Sequence, residues 1–198
     1  MPNNTGGGLM NSYPIRLIQA GFTLVELLIV VIILAVLAAI IVPQFSSATI
    51  DAQEAALDAN LARMRSAVEL FHAQHGSAYP AAAATSGGTC PSGGTAGTGA
   101  ANSAQAFMDH LLMYSDASGK TCSVGDTTFK YGPYLRKGIP HDSVTGKGSV
   151  AGEIVVTSTG APIAPSAATG GWAYDAKSGQ MVMNSNANDT RGKPYSSH

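Results

Sequence analysis

Gly21-Phe22-Thr23-Leu24-Val25-Glu26 runs without a break into Leu27–Val42, which reads LLIVVIILAVLAAIIV. Those sixteen residues hold no charged or amide side chain, and extension back to Phe22 gives 21 residues interrupted only by Thr23 and Glu26. Wound as a helix, the stretch is about 31 Å long, enough to cross the hydrocarbon core of a bilayer once. The rival reading is a cleaved secretory signal peptide, with Ser46-Ser47-Ala48 supplying small residues after the run. Three features oppose it: the run exceeds the usual apolar region of about 7–15 residues, Glu26 stands at its start, and the preceding residues carry one base, Arg16. The membrane reading is preferred.

Outward from this segment, the 198-residue chain is poor in charge. Eleven Lys+Arg against twelve Asp+Glu give a net charge of −1, and charged residues make up 12% of the chain, about half the usual share. The charges are scattered and no basic stripe exists to follow a phosphate backbone, so nucleic acid is not an expected partner. The length suits one domain with an appendage. The middle and C-terminal regions are rich in Gly, Ala, Ser and Thr, which disfavours a cytosolic globular enzyme. Arg16 and the amino terminus precede the run, while Asp51, Glu54 and Asp58 follow it, so retention of positive charge on the cytoplasmic side puts the C-terminal bulk outside. Cys90 and Cys122 are the only cysteines and lack metal-ligand spacing, as suits a disulfide in an oxidising compartment. Closing their 32-residue separation stabilises by about 3–4 kcal/mol in the chain-entropy model.

The junction Gly21–Glu26 followed by an apolar helix resembles the class III signal of type IV pilins and type II secretion pseudopilins. The resemblance implies that a prepilin peptidase cuts between Gly21 and Phe22, that the new terminus at Phe22 is methylated, and that Glu26 is the acidic residue of the motif. Pro43, 21 residues after Phe22, matches the family's recurrent proline. The leader departs from the pattern in having Gln19-Ala20 before the cut and its only base at Arg16, and Met10 offers a second start. By the same resemblance the fold is α+β, a long N-terminal helix packed on a small antiparallel sheet. The implied partners are copies of the same or a related subunit, the prepilin peptidase and an inner-membrane assembly platform. The implied location is the inner membrane, crossed once, with the leader cytoplasmic, the head periplasmic and the assembled filament periplasmic or extracellular.

The chemistry of Glu26 supports that reading on its own terms. A carboxylate at the centre of a membrane helix costs about 2.5–3.5 kcal/mol on insertion scales, less near an end. An α-amine freed at Phe22 is a cation at the same membrane depth. The start of a helix points away from its own carboxylate, so the partner amine belongs to a neighbouring subunit. Glu26 thus reads as an assembly residue.

Beyond Pro43 the pattern turns amphipathic. Leu57, Leu61, Met64, Val68 and Phe71 recur at steps of four and three and form one helical stripe. Arg65 and Glu69 are spaced for a surface pair. Gly76 ends the helix and Tyr79-Pro80 cannot continue it. From Phe22 to His75 the helix would be about 80 Å long if continuous. Pro43 has no amide hydrogen for the carbonyl of Ala39, so a kink is expected there. The organisation is then a leader (1–21), a membrane and assembly helix (22–43), its amphipathic continuation (44–76), an α/β head (77–184) and a polar tail (185–198).

In the head, residues 81–102 read as a long loop around Cys90, and Ser103 caps a short helix reaching about Ser115. Strands are expected over Thr127–Tyr131, Glu153–Ser158, Trp172–Tyr174 and Gln180–Met183, the last two flanking a turn at 175–179 as a hairpin. Tyr131–Leu135, Pro140 and Gly171–Asp175 with Gly179 resemble phrases common in pseudopilin-like proteins, although His141-Asp142-Ser143 stands where Asn-Pro is frequent. Trp172 and Tyr174, at period two, belong to the core. Ser185–His198 reads as a loose tail.

Other motifs fail on spacing. Ser118-Gly119-Lys120-Thr121 suggests a phosphate loop, but Tyr114 occupies the required glycine position. Gly146, Gly148 and Gly152 are one residue too long for a dinucleotide fingerprint. His72 and His75 read as a solvated helix end rather than a metal site. Asn184, Asn186, Asn188 and Asp189 offer oxygen ligands without the glycine and glutamate of a calcium loop, so no cofactor is expected and calcium is the one considered. No nucleophile–base set is found. The filament subunit is therefore the leading reading, with a pseudopilin ahead of a type IV pilin, and a membrane-tethered binding module as the alternative in which Glu26 is dispensable.

Overall fold

In the computed structural model, which describes residues 21–198, Leu24–Gln74 form one helix, α1. The chain divides into two units after Phe45. In the first unit α1 carries only the apolar run, and the helix holds a span long and apolar enough to cross a membrane. Pro43 lies within α1. The helix stops as its sequence indicates: Gly76 takes φ +60°, and the Ser77 amide returns to the His72 carbonyl at 3.1 Å, the closing bond of a Schellman turn.

The second unit, from Ser46 onward, is built on the amphipathic half of α1. All five stripe residues, Leu57, Leu61, Met64, Val68 and Phe71, are buried. The first four pack with Phe107 and Leu111 of α2 (Ala104–Leu112) and with Ile154, Trp172, Tyr174, Met181 and Met183 from a sheet, while Phe71 meets the rings of His75, His110 and Tyr134. Ser103 caps α2, its hydroxyl accepting the Ala106 amide at 3.1 Å. Strands β1 (Tyr114–Ser115) and β2 (Thr121–Cys122) pair antiparallel. The main sheet has the order β3 (Ile154–Thr157), β4 (Trp172–Asp175), β5 (Met181–Met183). β4 and β5 form the expected antiparallel hairpin, whereas β3 pairs with β4 in parallel because residues 158–171 return the chain to the starting end of β3. The inner face carries Trp172 and Tyr174, both fully buried, with the Tyr174 ring 4.4 Å from that of Phe107. The Trp172 indole donates to the Pro140 carbonyl at 2.8 Å. Gly148 lies flat against that indole, where a Cβ would come within 2.5 Å of the ring.

Five local expectations are corrected. Residues 127–131 form no strand, because Asp126 takes the amides of Thr128 and Phe129 and turns the chain; only Tyr131 bridges to Ser115. α2 ends at Leu112, and the stretch that mimics a phosphate loop is the β1–β2 turn, where Asp116 accepts the amides of Ser118 and Lys120. His75 is not solvated: it is buried, stacked on Phe71 at 3.8 Å and bonded to Ser115. Arg65 does not turn to Glu69 but donates to the carbonyls of Met181 and His198. The tail is polar but docked, with Ser185, Asp189 and Tyr195 buried and a bridge between Asn188 and Pro194.

Candidate functional site

The N-terminal segment of the first unit is built by one capping residue. Thr23 precedes the helix, and its hydroxyl accepts the amide of Glu26 at 3.2 Å while its carbonyl accepts that of Leu27. Thr23-Leu24-Val25-Glu26 has the Thr-x-x-Glu form of a capping box, a signal that the spacing alone would have revealed. Glu26 sits in the first turn, where the positive end of the helix dipole favours a carboxylate. Among the described residues nothing lies within 4 Å of where a Cβ at Gly21 would stand, and its backbone is not left-handed. Among the described residues, then, the fold makes no demand for glycine at 21. The large apolar side chains from Phe22 to Val42 are 45–86% exposed. Burying such a helix on every side requires lipid or other helices.

The head brings Cys90 and Cys122 together as a disulfide, with Cα atoms 5.7 Å apart. The bond ties residues 81–102 to β2, but Asp109 ties them too: its Oδ2 accepts from the Thr85 hydroxyl at 2.6 Å and the amides of Thr98 and Gly99. Two other aspartates act in the same way. Asp142 accepts the amides of Val144, Thr145 and Gly171. Asp175 accepts those of Lys177, Ser178, Thr159 and Gly160, so that although burial pushes its carboxyl up, these donors outweigh it and hold the group well below the usual carboxylate range. Sequence reasoning missed all three as anchors, because each takes at least one amide from a segment ten or more residues away.

Two histidines flank Phe71. His110 is buried; its Nδ1 accepts the Ala81 amide at 2.9 Å and its Nε2–H donates to the Gly119 carbonyl at 2.8 Å. Burial lowers its pKa to about 4, against the opposing pull of the Gly119 carbonyl. Burial likewise lowers that of His75, whose Nδ1 bonds the Phe71 carbonyl. Both act as neutral struts. Where oxygen ligands were considered, Asp189 accepts from the amides of Arg191 and Lys193 and from the Arg191 side chain, and Asn186 donates to the Ser166 carbonyl. No three His, Cys, Asp or Glu side chains come together as a metal site among the described residues.

Residues 16–42 match a family described as the prokaryotic N-terminal methylation motif. Over 54 residues the chain is 46% identical to the type IV narrow pilus major component PilA5 of Thermus thermophilus. That alignment covers 27% of this chain and 47% of the relative, so the chain spans about half the length of the curated relative it matches. No solved structure matches. The motif and the relative support the type IV pilin and pseudopilin family, whose subunits are structural rather than enzymatic, are processed by prepilin peptidase and assemble into filaments. An apolar helix behind this signal fits a membrane-anchored, single-pass protein.

Proposed function

We propose, starting from a chain that opens with a pilin-type methylation signal, that this protein is a filament subunit cut between Gly21 and Phe22, methylated on Phe22 and packed through residues 22–42 against neighbouring copies. The observation that carries the reading is an apolar helix exposed on all sides whose first turn holds one carboxylate, Glu26. In this reading Glu26 pairs with the Phe22 amine of a neighbour and sets the axial register between subunits, and Pro43 loosens the helix where the apolar run ends. The leader is cytoplasmic, the head periplasmic, and an inner-membrane platform adds subunits.

The finer assignment is a pseudopilin of a type II secretion machine, supported by the Tyr131–Leu135 and Gly171–Asp175 phrases. The surface-pilus subunit is the second reading, favoured by the matched relative, which is a pilus component. Deletion of the chain separates them: loss of exported proteins with surface fibres intact fits the first, and loss of fibres with export intact fits the second. The filament reading itself is tested by Glu26→Ala. The variant inserts normally, since removal of a carboxylate makes the segment more apolar, but forms no cross-linked multimers. Wild-type multimers in a normally inserted variant overturn it in favour of a tethered binding module.

A further inference from the structure

Residues 185–198 reach α1 through side chains at three points on one line of the helix. Glu54, Asp58 and Arg65 are spaced by four and seven residues, beside the apolar stripe. The Glu54 side of this line is closed by Thr190, whose amide donates to Oε1 at 2.8 Å and whose hydroxyl donates to Oε2 at 3.0 Å. Glu54 is only 4% exposed, so each of its carboxylate oxygens meets a Thr190 donor largely out of water. His198 fills the middle, with Nδ1 at 2.7 Å from Asp58 Oδ1 and Nε2 facing Asp189 Oδ2 at 3.4 Å. At the far point Arg65 Nη2 donates to the His198 carbonyl at 2.7 Å while also holding the Met181 carbonyl of β5.

The segment has a scaffold of its own. Asp189 accepts the amides of Arg191 at 2.9 Å and Lys193 at 2.7 Å, its own amide donates to the Lys193 carbonyl, and the Tyr195 amide donates to the Ala187 carbonyl. The segment is also rooted by Tyr195, buried in the core, and by Asn186, whose amide and side chain donate to the carbonyls of Ala167 and Ser166. An internally bonded piece of this kind opens as one unit, at a free energy below that of global unfolding. We propose that residues 185–198 form a strap with a closed and an open state, held closed by Thr190 on Glu54 together with Tyr195 in the core, and that opening uncovers the Glu54–Asp58 carboxylate line and the β5 edge that Arg65 and the strap share. The strap does not depend on the filament reading.

Proteolysis of the full chain in detergent tests this directly. Trypsin has one cleavable bond in the strap, Arg191–Gly192, since Lys193 precedes proline. Lys177–Ser178, in the turn held by Asp175, serves as the internal control. In the wild type, Arg191–Gly192 is cut at least tenfold more slowly than in the unfolded chain, although the Arg191 side chain is 69% exposed. Thr190→Val and Glu54→Gln each raise that rate at least tenfold and leave the Lys177–Ser178 rate unchanged. Rates at the two bonds that rise together mean that the head loosens as a whole, and overturn the strap. So does a rate at Arg191–Gly192 that neither substitution changes, or a wild-type rate equal to that of the unfolded chain. Because this readout needs no filament, its failure leaves the assembly reading standing, and failed assembly leaves the strap standing.

Discussion

The hydroxyl of Thr23 closes the first turn of α1 by accepting the amide hydrogen of Glu26 at 3.2 Å. Glu26 therefore occupies two roles that a single alanine substitution does not separate: third residue of a capped helix, and charge at the head of a membrane run. Glutamine separates them, because Gln serves at this capping position as Glu does but carries no charge. Glu26→Gln is expected to retain helix and insertion and to lose assembly, whereas Thr23→Val keeps the charge and loses a cap worth about 1 kcal/mol. Cross-linked multimers counted in both variants check this. Assembly by Glu26→Gln at the wild-type level assigns Glu26 to the cap alone.

In the proposed reading, processing fixes the start of the mature chain. Intact-mass measurement of membrane-extracted protein is expected to give a terminus at Phe22 with one added methyl group. A mature protein that begins at Met1, or near Thr49 as a cleaved secretory signal would leave it, contradicts the pilin-type signal.

The disulfide makes a quantitative prediction. Cys90→Ala with Cys122→Ala releases a loop closed over 32 residues and lowers the unfolding free energy of the head by about 3–4 kcal/mol in the chain-entropy model. Urea unfolding with and without the pair measures it. Labelling of the unfolded, unreduced wild type is expected to find no free thiol.

Acid weakens the head in two stages. His110, with its pKa lowered to about 4 by burial, binds a proton more weakly in the folded chain than in the unfolded one. Its contribution is therefore complete above the ordinary histidine value of about 6.5 and is lost as pH falls from there toward 4, by an amount of order 3 kcal/mol. His75, lowered for the same reason, acts in the same direction; the Asp116 carboxylate opposes both shifts, and that of Asp109 opposes the shift of His110, only in part. Below about pH 4 the carboxyl of Asp175 binds a proton in the unfolded chain but resists it in the folded one, where its amide donors hold it down, and this difference removes a further share. Denaturant midpoints between pH 7 and pH 4 are expected to fall in the wild type and to fall less in His110→Gln, starting from a lower value at neutrality.

The parts of the molecule that could be read from the chain are those whose determinants lie close together in it. Leu57 to Phe71 announce their stripe by spacing, Ser103 announces a cap, and Trp172–Met183 announce a hairpin around its turn. The motif around Gly21, Phe22 and Glu26, matched over residues 16–42, spans six residues and is legible for the same reason, and the Thr23 cap is written in the same short stretch. What escaped was distributed or too short. β1 and β2 are two residues each and have no periodicity to detect. The parallel partnership of β3 depends on where residues 158–171 lead, and the docking of the tail on a carboxylate 136 residues earlier.

That last separation governs the order in which the head can form. Thr190 meets Glu54 across 136 residues and Met181 meets Arg65 across 116, so the contacts that close the core are among the most non-local the chain contains. Such contacts form slowly, because the chain must lose the entropy of a long loop before they contribute anything. A chain made from its N-terminus thus carries Leu57, Leu61 and Met64 without their sheet cover until β4 and β5 have been synthesised. Until then, any partner that shields that stripe competes with the sheet for the same side of α1.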